Sequence, residues 1–210
     1  MALDKFENSG AEVLQSTVSI ENLSDHELIE ATKRGDEAAF AEIVNRYRKP
    51  ITNYLYRFLN DYEEAVDLSQ ETFVRVYFAI ERYHTDYAFS TYIYRIATNL
   101  GISEIRRRKR RKLISLTGLF QYDDEPAQDF QPPDEKPLPV ENLIENEQKE
   151  TISRAIAALP EKYRAPVVLR DVEGKSYEEV AAILKLGLGT TKSRISRGRK
   201  ILREKLQNYF

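Results

Sequence analysis

Thr190, Lys192, Ser193, Arg194, Arg197 and Arg199 fall within ten consecutive positions near the C-terminus. On a helix of 3.6 residues per turn most of them share a polar side, leaving Ile195, Leu202 and Leu206 for a core. Arginine pairs bidentately with guanine edges, hydroxyls contact several bases, and further cations grip phosphate. A second block, RRRKRRK over residues 106–112, follows Tyr83, Tyr87, Phe89, Tyr92 and Tyr94. Aromatic faces beside cations suit a single strand, because bases stack while cations hold the backbone. A lone cationic helix is usually only a solvated face. Two such blocks in one chain point instead to nucleic acid.

Bond-making chemistry is thinly represented. With no cysteine there is no disulfide framework, redox pair or Cys-ligated metal. The only histidines, His26 and His84, lie far apart. Gly174-Lys175-Ser176 resembles the end of a phosphate-binding loop, but Leu169 stands where that loop needs glycine. Glu63, Glu64, Asp67 and Glu71 have helical spacing yet no second ligand group, so they read as a solvated or docking face. The expectation is a protein that is not an enzyme, with no cofactor and no metal site.

Charge is uneven beneath a formal net charge of -2. Residues 186–207 carry seven bases and one acid, whereas residues 121–150 carry ten acids, two bases and five of the eight prolines. An acidic, proline-rich tether between two basic units follows. No apolar run approaches a membrane span and no signal peptide is read, so membrane insertion is not expected and the expected location is the cytoplasm.

These side chains need helices to position them. Ser24 and Glu27 form a capping-box pattern, with Leu23 and Leu28 as a hydrophobic staple. Phe40, Ile43, Val44 and Tyr47 recur at helical spacing before Pro50, and Ile51, Tyr54, Leu55 and Phe58 after it. Val66, Phe73, Val74, Tyr77 and Ile80 form another stripe, and Tyr92, Ile93, Ile96, Ala97 and Leu100 a fourth. In the second half, Ile152, Ala155, Ile156 and Leu159 end at Pro160, and Tyr163, Val167 and Val168 form a short helix that contains Pro166. Ser176 and Glu179 are a second capping box, opening a helix with Val180, Ala181, Ile183 and Leu184 inward. Lys185-Leu186-Gly187 is a short turn, and a new helix starts near Leu188. That is a helix-turn-helix, whose second helix enters the major groove. The fold class is all-α: a tail over 1–22, a helical bundle over 23–113, an acidic linker over 114–145 and a helix-turn-helix domain over 146–210.

Five segments, in this order, resemble the extracytoplasmic-function sigma factors, the small two-domain specificity subunits of bacterial RNA polymerase. They are GDEAAFAEIVNRY (35–47), AVDLSQETFVRVY (65–77), FSTYIYRIATNLGISEIRRR (89–108), LPEKYRAPVVLRDVEGKSYEEVAAIL (159–184) and GTTKSRISRGRKIL (189–202). The resemblance implies that Asp67, Gln70, Glu71 and Phe73 dock on the clamp helices of the polymerase largest subunit. It implies that Tyr87, Phe89, Tyr92, Arg95 and Asn99, with Arg106, Arg107 and Arg110, melt and hold the minus-ten element. A flipped base there costs a few kcal/mol, repaid by the pocket. Ser176, Thr190, Lys192, Ser193, Arg194, Arg197 and Arg199 are the implied readers of duplex minus-thirty-five DNA. The implied partners are core RNA polymerase and promoter DNA, both duplex and melted. Family members are often held by an anti-sigma factor, although no residue here points to one. Departures are Tyr92 where the family usually has Trp, Thr191 for a small aliphatic, and Gly187 where Ser is common as a cap. The rivals are an autonomous helix-turn-helix regulator, which needs only one DNA-reading unit, and a serine recombinase, which needs an α/β catalytic domain.

Overall fold

The computed structural model describes residues 19–83, 87–116 and 150–207. All regular structure among them is helical: α1 (Asp25–Lys33), α2 (Glu37–Leu59), α3 (Tyr62–Ala79), α4 (Phe89–Leu116), α5 (150–157), α6 (Glu161–Val167), α7 (Tyr177–Leu184) and α8 (Leu188–Leu206). Helices α1–α4 form one domain and α5–α8 the other. The expected linker lies almost wholly outside the described residues. So does the expected tail, except that Ile20–Asn22 make a 3-10 turn against α2, where the Arg46 guanidinium donates to the Glu21 carbonyl at 2.8 Å.

Caps set the helix starts. At α1 the Ser24 hydroxyl accepts from the Glu27 N–H and the Glu27 carboxylate accepts from the Ser24 N–H, the full capping box. Asp36 and Asp61 accept in the same way at the starts of α2 and α3, and Asn60, left-handed at φ 55°, ends α2.

Pro50 does not divide α2 as the two stripes in the sequence suggest; the helix runs unbroken through it. Proline there removes one backbone hydrogen bond and strains the preceding turn, at about 3 kcal/mol. Ile43, Ile51, Tyr54, Leu55 and Phe58 lie on the same helix and are all fully buried. Each such side chain contributes about 1.5–3 kcal/mol, which outweighs the local cost. Across this core the Tyr54 and Thr98 hydroxyls share a hydrogen bond of 2.8 Å, fixing α2 against α4.

In the second domain α6 passes into a π-helical turn, Val168–Val172. Pro166 supplies no N–H, and the Glu173 N–H reaches back five residues to the Val168 carbonyl. Gly174, at φ 68°, then turns the chain into α7, whose capping box, Ser176 with Glu179, is complete. In the α7–α8 turn Lys185 takes the left-handed conformation (φ 52°), and Gly187, at the expected cap position, is extended and serves as the cap of α8.

Candidate nucleic-acid interface

Helix α8 rests on Ile195, which is fully buried, and on Gly198, where a Cβ would lie 2.5 Å from a Val167 methyl carbon. The missing side chain lets α8 cross α6 closely. Thr191 is fully buried, and its hydroxyl donates to the Gly187 carbonyl at 3.2 Å, so the polar group at the crossing is satisfied within α8. Thr190, Lys192, Ser193 and Arg197 are exposed on the opposite side, with Arg194 half-buried. The Ser193 hydroxyl donates to the Thr190 carbonyl. Among the described residues Lys192, Arg194 and Arg197 make no ion pair; Lys192 lies over the Tyr177 ring, and Arg197 hydrogen-bonds Tyr163, lowering that phenol's pKa.

Two members of the expected minus-thirty-five set are engaged internally. Arg199 forms a two-pronged pair with Asp171, which raises its pKa above the ordinary guanidinium range. The Ser176 hydroxyl caps α7.

The α4 surface is built differently. Phe89 is buried in an aromatic cluster, with ring centroids 5.3 Å from Tyr47, 5.7 Å from Tyr83 and 6.2 Å from Tyr92. Its ring packs the start of α4 against α2 and the turn after α3. The Tyr83 hydroxyl donates to the Tyr87 carbonyl at 2.7 Å, leaving the Tyr87 ring exposed. Tyr92 is half-buried, with the Arg95 guanidinium 5.9 Å from its ring centre, and Asn99 is exposed one turn along from Arg95. Residues 84–86, just before Tyr87, lie outside the described residues.

The basic run is largely compensated. Glu104, only 5% exposed, receives Arg107, Arg108 and Arg111 at 2.5, 3.3 and 3.1 Å. Arg108 also reaches Asp61 at 2.8 Å, and Arg107 reaches Glu64 at 3.3 Å. Burial, with Glu104 nearby, raises the Glu64 pKa. Arg106 and Lys109 turn toward Glu161 of the second domain. Arg110 and Lys112 are exposed and make no ion pair among the described residues.

On α3, Asp67 and Gln70 are exposed and Glu71 is half-buried, where it pairs with Arg75. Phe73 is buried in the core. Val74 and Tyr77, expected in the buried stripe, are instead exposed at 53% and 48%, beside Phe78 at 80%. The buried stripe is Ala65, Leu68, Thr72, Phe73 and Val76. Val74 and Phe78 continue the line of Asp67 and Glu71 at steps of three and four, a signal present in the sequence but masked by their apolar character. Among the described residues no cluster of three metal-ligating side chains occurs, and no helix is long and apolar enough to cross a membrane.

The sigma-70 region 2 family profile matches residues 43–111, and the sigma-70 region 4 profile matches residues 149–202. The chain is 37% identical over 185 residues to the ECF RNA polymerase sigma factor SigW of Bacillus subtilis, covering 86% of this chain and 95% of that protein. It is 33% identical over 187 residues to the RNA polymerase sigma-H factor of Pseudomonas aeruginosa, covering 87% and 94%. Its fold is similar to that of CnrH in complex with the cytosolic domain of CnrY, with TM-score 0.63, 20% identity, and coverage of 88% and 97%. It is also similar to RpoE from Bartonella quintana in complex with the anti-sigma factor NepR, with TM-score 0.61, 23% identity, and coverage of 80% and 96%. With both sigma regions in place and these relatives matched over nearly their whole lengths, the chain belongs to the extracytoplasmic-function sigma factors, which direct RNA polymerase to promoters.

Proposed function

We propose a division of labour among three helical faces. The outer face of α3 (Asp67, Gln70, Glu71, Val74, Tyr77 and Phe78) docks on the clamp helices of core RNA polymerase. Tyr87, Tyr92, Arg95 and Asn99 hold the melted minus-ten strand, with Arg106 and Arg110 on its backbone. Lys192, Arg194 and Arg197, with Thr190 and Ser193, read the duplex minus-thirty-five element. Buried Phe73 and Phe89 position these faces, and residues 114–145 tether the two domains. The protein makes and breaks no bonds and works in the cytoplasm, where core polymerase is. Of its structural neighbours, CnrH was solved with the cytosolic domain of CnrY and RpoE with the anti-sigma factor NepR, and an anti-sigma partner is proposed here too.

The observation that carries this reading is the α3 face. A helix with three large apolar side chains in solvent next to exposed carboxylates needs a partner. An autonomous DNA-binding regulator has no use for such a face. The test is run-off transcription by core polymerase of the source bacterium on fragmented genomic DNA. Discrete transcripts are expected only when the protein is added, and a Phe78→Glu variant is expected to lose them together with co-elution with core. Tight, specific duplex binding by the chain alone, without such transcripts, would move the assignment to the autonomous regulator.

A further inference from the structure

The basic run of α4 is sorted into two sides. At about 100° per residue, Glu104, Arg107, Arg108 and Arg111 fall on one side of the helix, and Ser103, Arg106, Lys109 and Arg110 on the other. On the first side the nearly buried Glu104 carboxylate takes the guanidinium groups of Arg107, Arg108 and Arg111. The first turn of α3 adds two more carboxylates. Asp61 lies 2.8 Å from Arg108, and Glu64 lies 3.3 Å from Arg107 and 3.7 Å from Arg108. Three cations face three anions, so this side is neutral in sum.

The other side is not. Ser103, Arg106, Lys109 and Arg110 line one cleft, and no carboxylate is among its lining residues. Among the described residues Arg106 and Lys109 share Glu161 of the second domain, and Arg110 makes no ion pair.

The two sides answer a phosphate differently. An exposed pair such as Arg106 with Glu161 gives up its cation at little cost. A nearly buried carboxylate does not, because each arginine taken from Glu104 leaves its charge less compensated than burial requires. Phosphate can therefore draw on Arg106, Lys109 and Arg110, but not on Arg107, Arg108 and Arg111. Affinity that ignores sequence grows with every phosphate neutralised, and the salt dependence steepens by about 0.7 per contact on a single strand. For a protein that must find particular sites, what counts is the ratio of specific to non-specific binding, and surplus phosphate contacts lower it.

We propose that Glu104 is a specificity-determining residue, a built-in counter-ion that with Asp61 and Glu64 withholds three arginines of the basic run from DNA. The phosphate grip of α4 is confined to the side of Ser103, Arg106 and Arg110, and sequence-independent binding is held down. Glu104 touches no DNA itself; it acts through Arg107, Arg108 and Arg111. The same six groups tie α4 to the start of α3, so one network serves both packing and restraint.

What the restraint serves rests on the sigma-factor reading, and the test separates the two. Binding of the full-length chain, without core polymerase, to a fluorescent single-stranded oligonucleotide of scrambled sequence is measured over a salt series. Glu104→Gln keeps the size of the side chain and one acceptor oxygen and removes the charge. It is expected to bind about fivefold more tightly at low salt, with a slope of log affinity against log salt steeper by about 0.7–1.4, one to two phosphate contacts. The double variant Glu104→Gln, Arg111→Gln makes the side neutral again, because Arg107 and Arg108 then face Asp61 and Glu64. It is expected to regain the wild-type slope, which repair of a merely structural defect would not bring about. In holoenzyme, Glu104→Gln is expected to lower the ratio of promoter-initiated to end-initiated transcript. Circular dichroism at the assay temperature checks folding. If Glu104→Gln does not fold, Glu64→Gln takes a half-buried carboxylate from the same side and is expected to steepen the slope by about 0.7. A folded single variant with the wild-type slope would overturn the proposal, as would a double variant that keeps the tighter binding. A wild-type chain that never co-elutes with core and never yields transcripts would overturn the sigma-factor reading instead, whatever the slopes.

Discussion

Helices α4 and α8 both carry dense runs of arginine and lysine, but their cations are in different states. On α4, Arg107, Arg108 and Arg111 converge on a nearly buried Glu104, and Arg106 and Lys109 lean on Glu161. Among the described residues, Arg199 alone on α8 is held by a carboxylate, that of Asp171, while Lys192, Arg194 and Arg197 make no ion pair. A run of charge in a sequence is therefore not the same thing as a charged surface. The α4 run is in large part the mortar of its own domain. The α8 run is a surface, and its aim is set by packing at Ile195 and Gly198 rather than by counter-ions.

The largest expected effect tests the mortar. Glu104→Ala would leave three guanidinium groups facing one another over a vacated site, with an expected loss of about 2–3 kcal/mol of stability by urea unfolding. The α8 counterpart, Glu204→Ala, is expected within about 0.5 kcal/mol of wild type. Similar losses in both would erase the distinction between the helices.

Next is Gly198→Ala. The added methyl would overlap Val167, and the expected cost is about 1–3 kcal/mol. A loss of minus-thirty-five affinity is expected with it, read by footprinting of the holoenzyme. A silent substitution would mean that α8 can ride higher on α6 than the structure has it.

Third, Arg194→Ala is expected to weaken holoenzyme binding to its minus-thirty-five element by about 1–3 kcal/mol if it pairs with a base. Loss on all sequences alike, with a salt slope shallower by about one, would assign it to phosphate. Arg107→Ala, already paired with Glu104, is expected to change DNA affinity by less than about 0.5 kcal/mol.

The smallest effect concerns pH. Burial raises the Glu173 pKa, with the Tyr94 hydrogen bond, Arg57 and Lys175 opposing. A carboxyl whose pKa is raised in the packed state contributes stability at acid pH, and that contribution is lost as pH rises through the raised value. Glu173→Gln keeps an acceptor for the Tyr94 hydroxyl and removes the ionisation. The thermal midpoint of wild type, relative to this variant, is expected to fall from acid to neutral pH. A pH-independent difference would place the ionised group in solvent.

Much of this architecture could be read from local chemistry. Both capping boxes, the α7–α8 turn and the apolar sides of α2 and α8 follow from spacing alone, because each depends on residues within a turn or two of one another. What escaped was decided by tertiary context. Pro50 is a breaker by local rule, yet the buried residues on both sides of it hold α2 together. Val74 and Tyr77 are apolar at helical spacing, yet the core already had Ala65, Leu68, Thr72, Phe73 and Val76 to cover it. The pairing of Arg107, Arg108 and Arg111 with Glu104 was equally out of reach. The spacing 104, 107, 108, 111 is in the sequence, but nothing local says that the carboxylate is buried. The contact of Glu161 with Arg106 joins residues 55 apart and has no local signature at all.

The empty space at Gly198 has one more consequence. Where α8 touches α6 there is no side chain to act as a shim, so the stand-off between reader and support is at its minimum. Any other residue at 198 could only thicken that joint and lift the whole reading edge, with every contact along it displaced in common. Lys192, Arg194 and Arg197 stand away from that joint, and none of them is held by a carboxylate among the described residues. Promoter preference can thus be retuned one letter at a time at those positions, while position 198 keeps the calibration of the instrument.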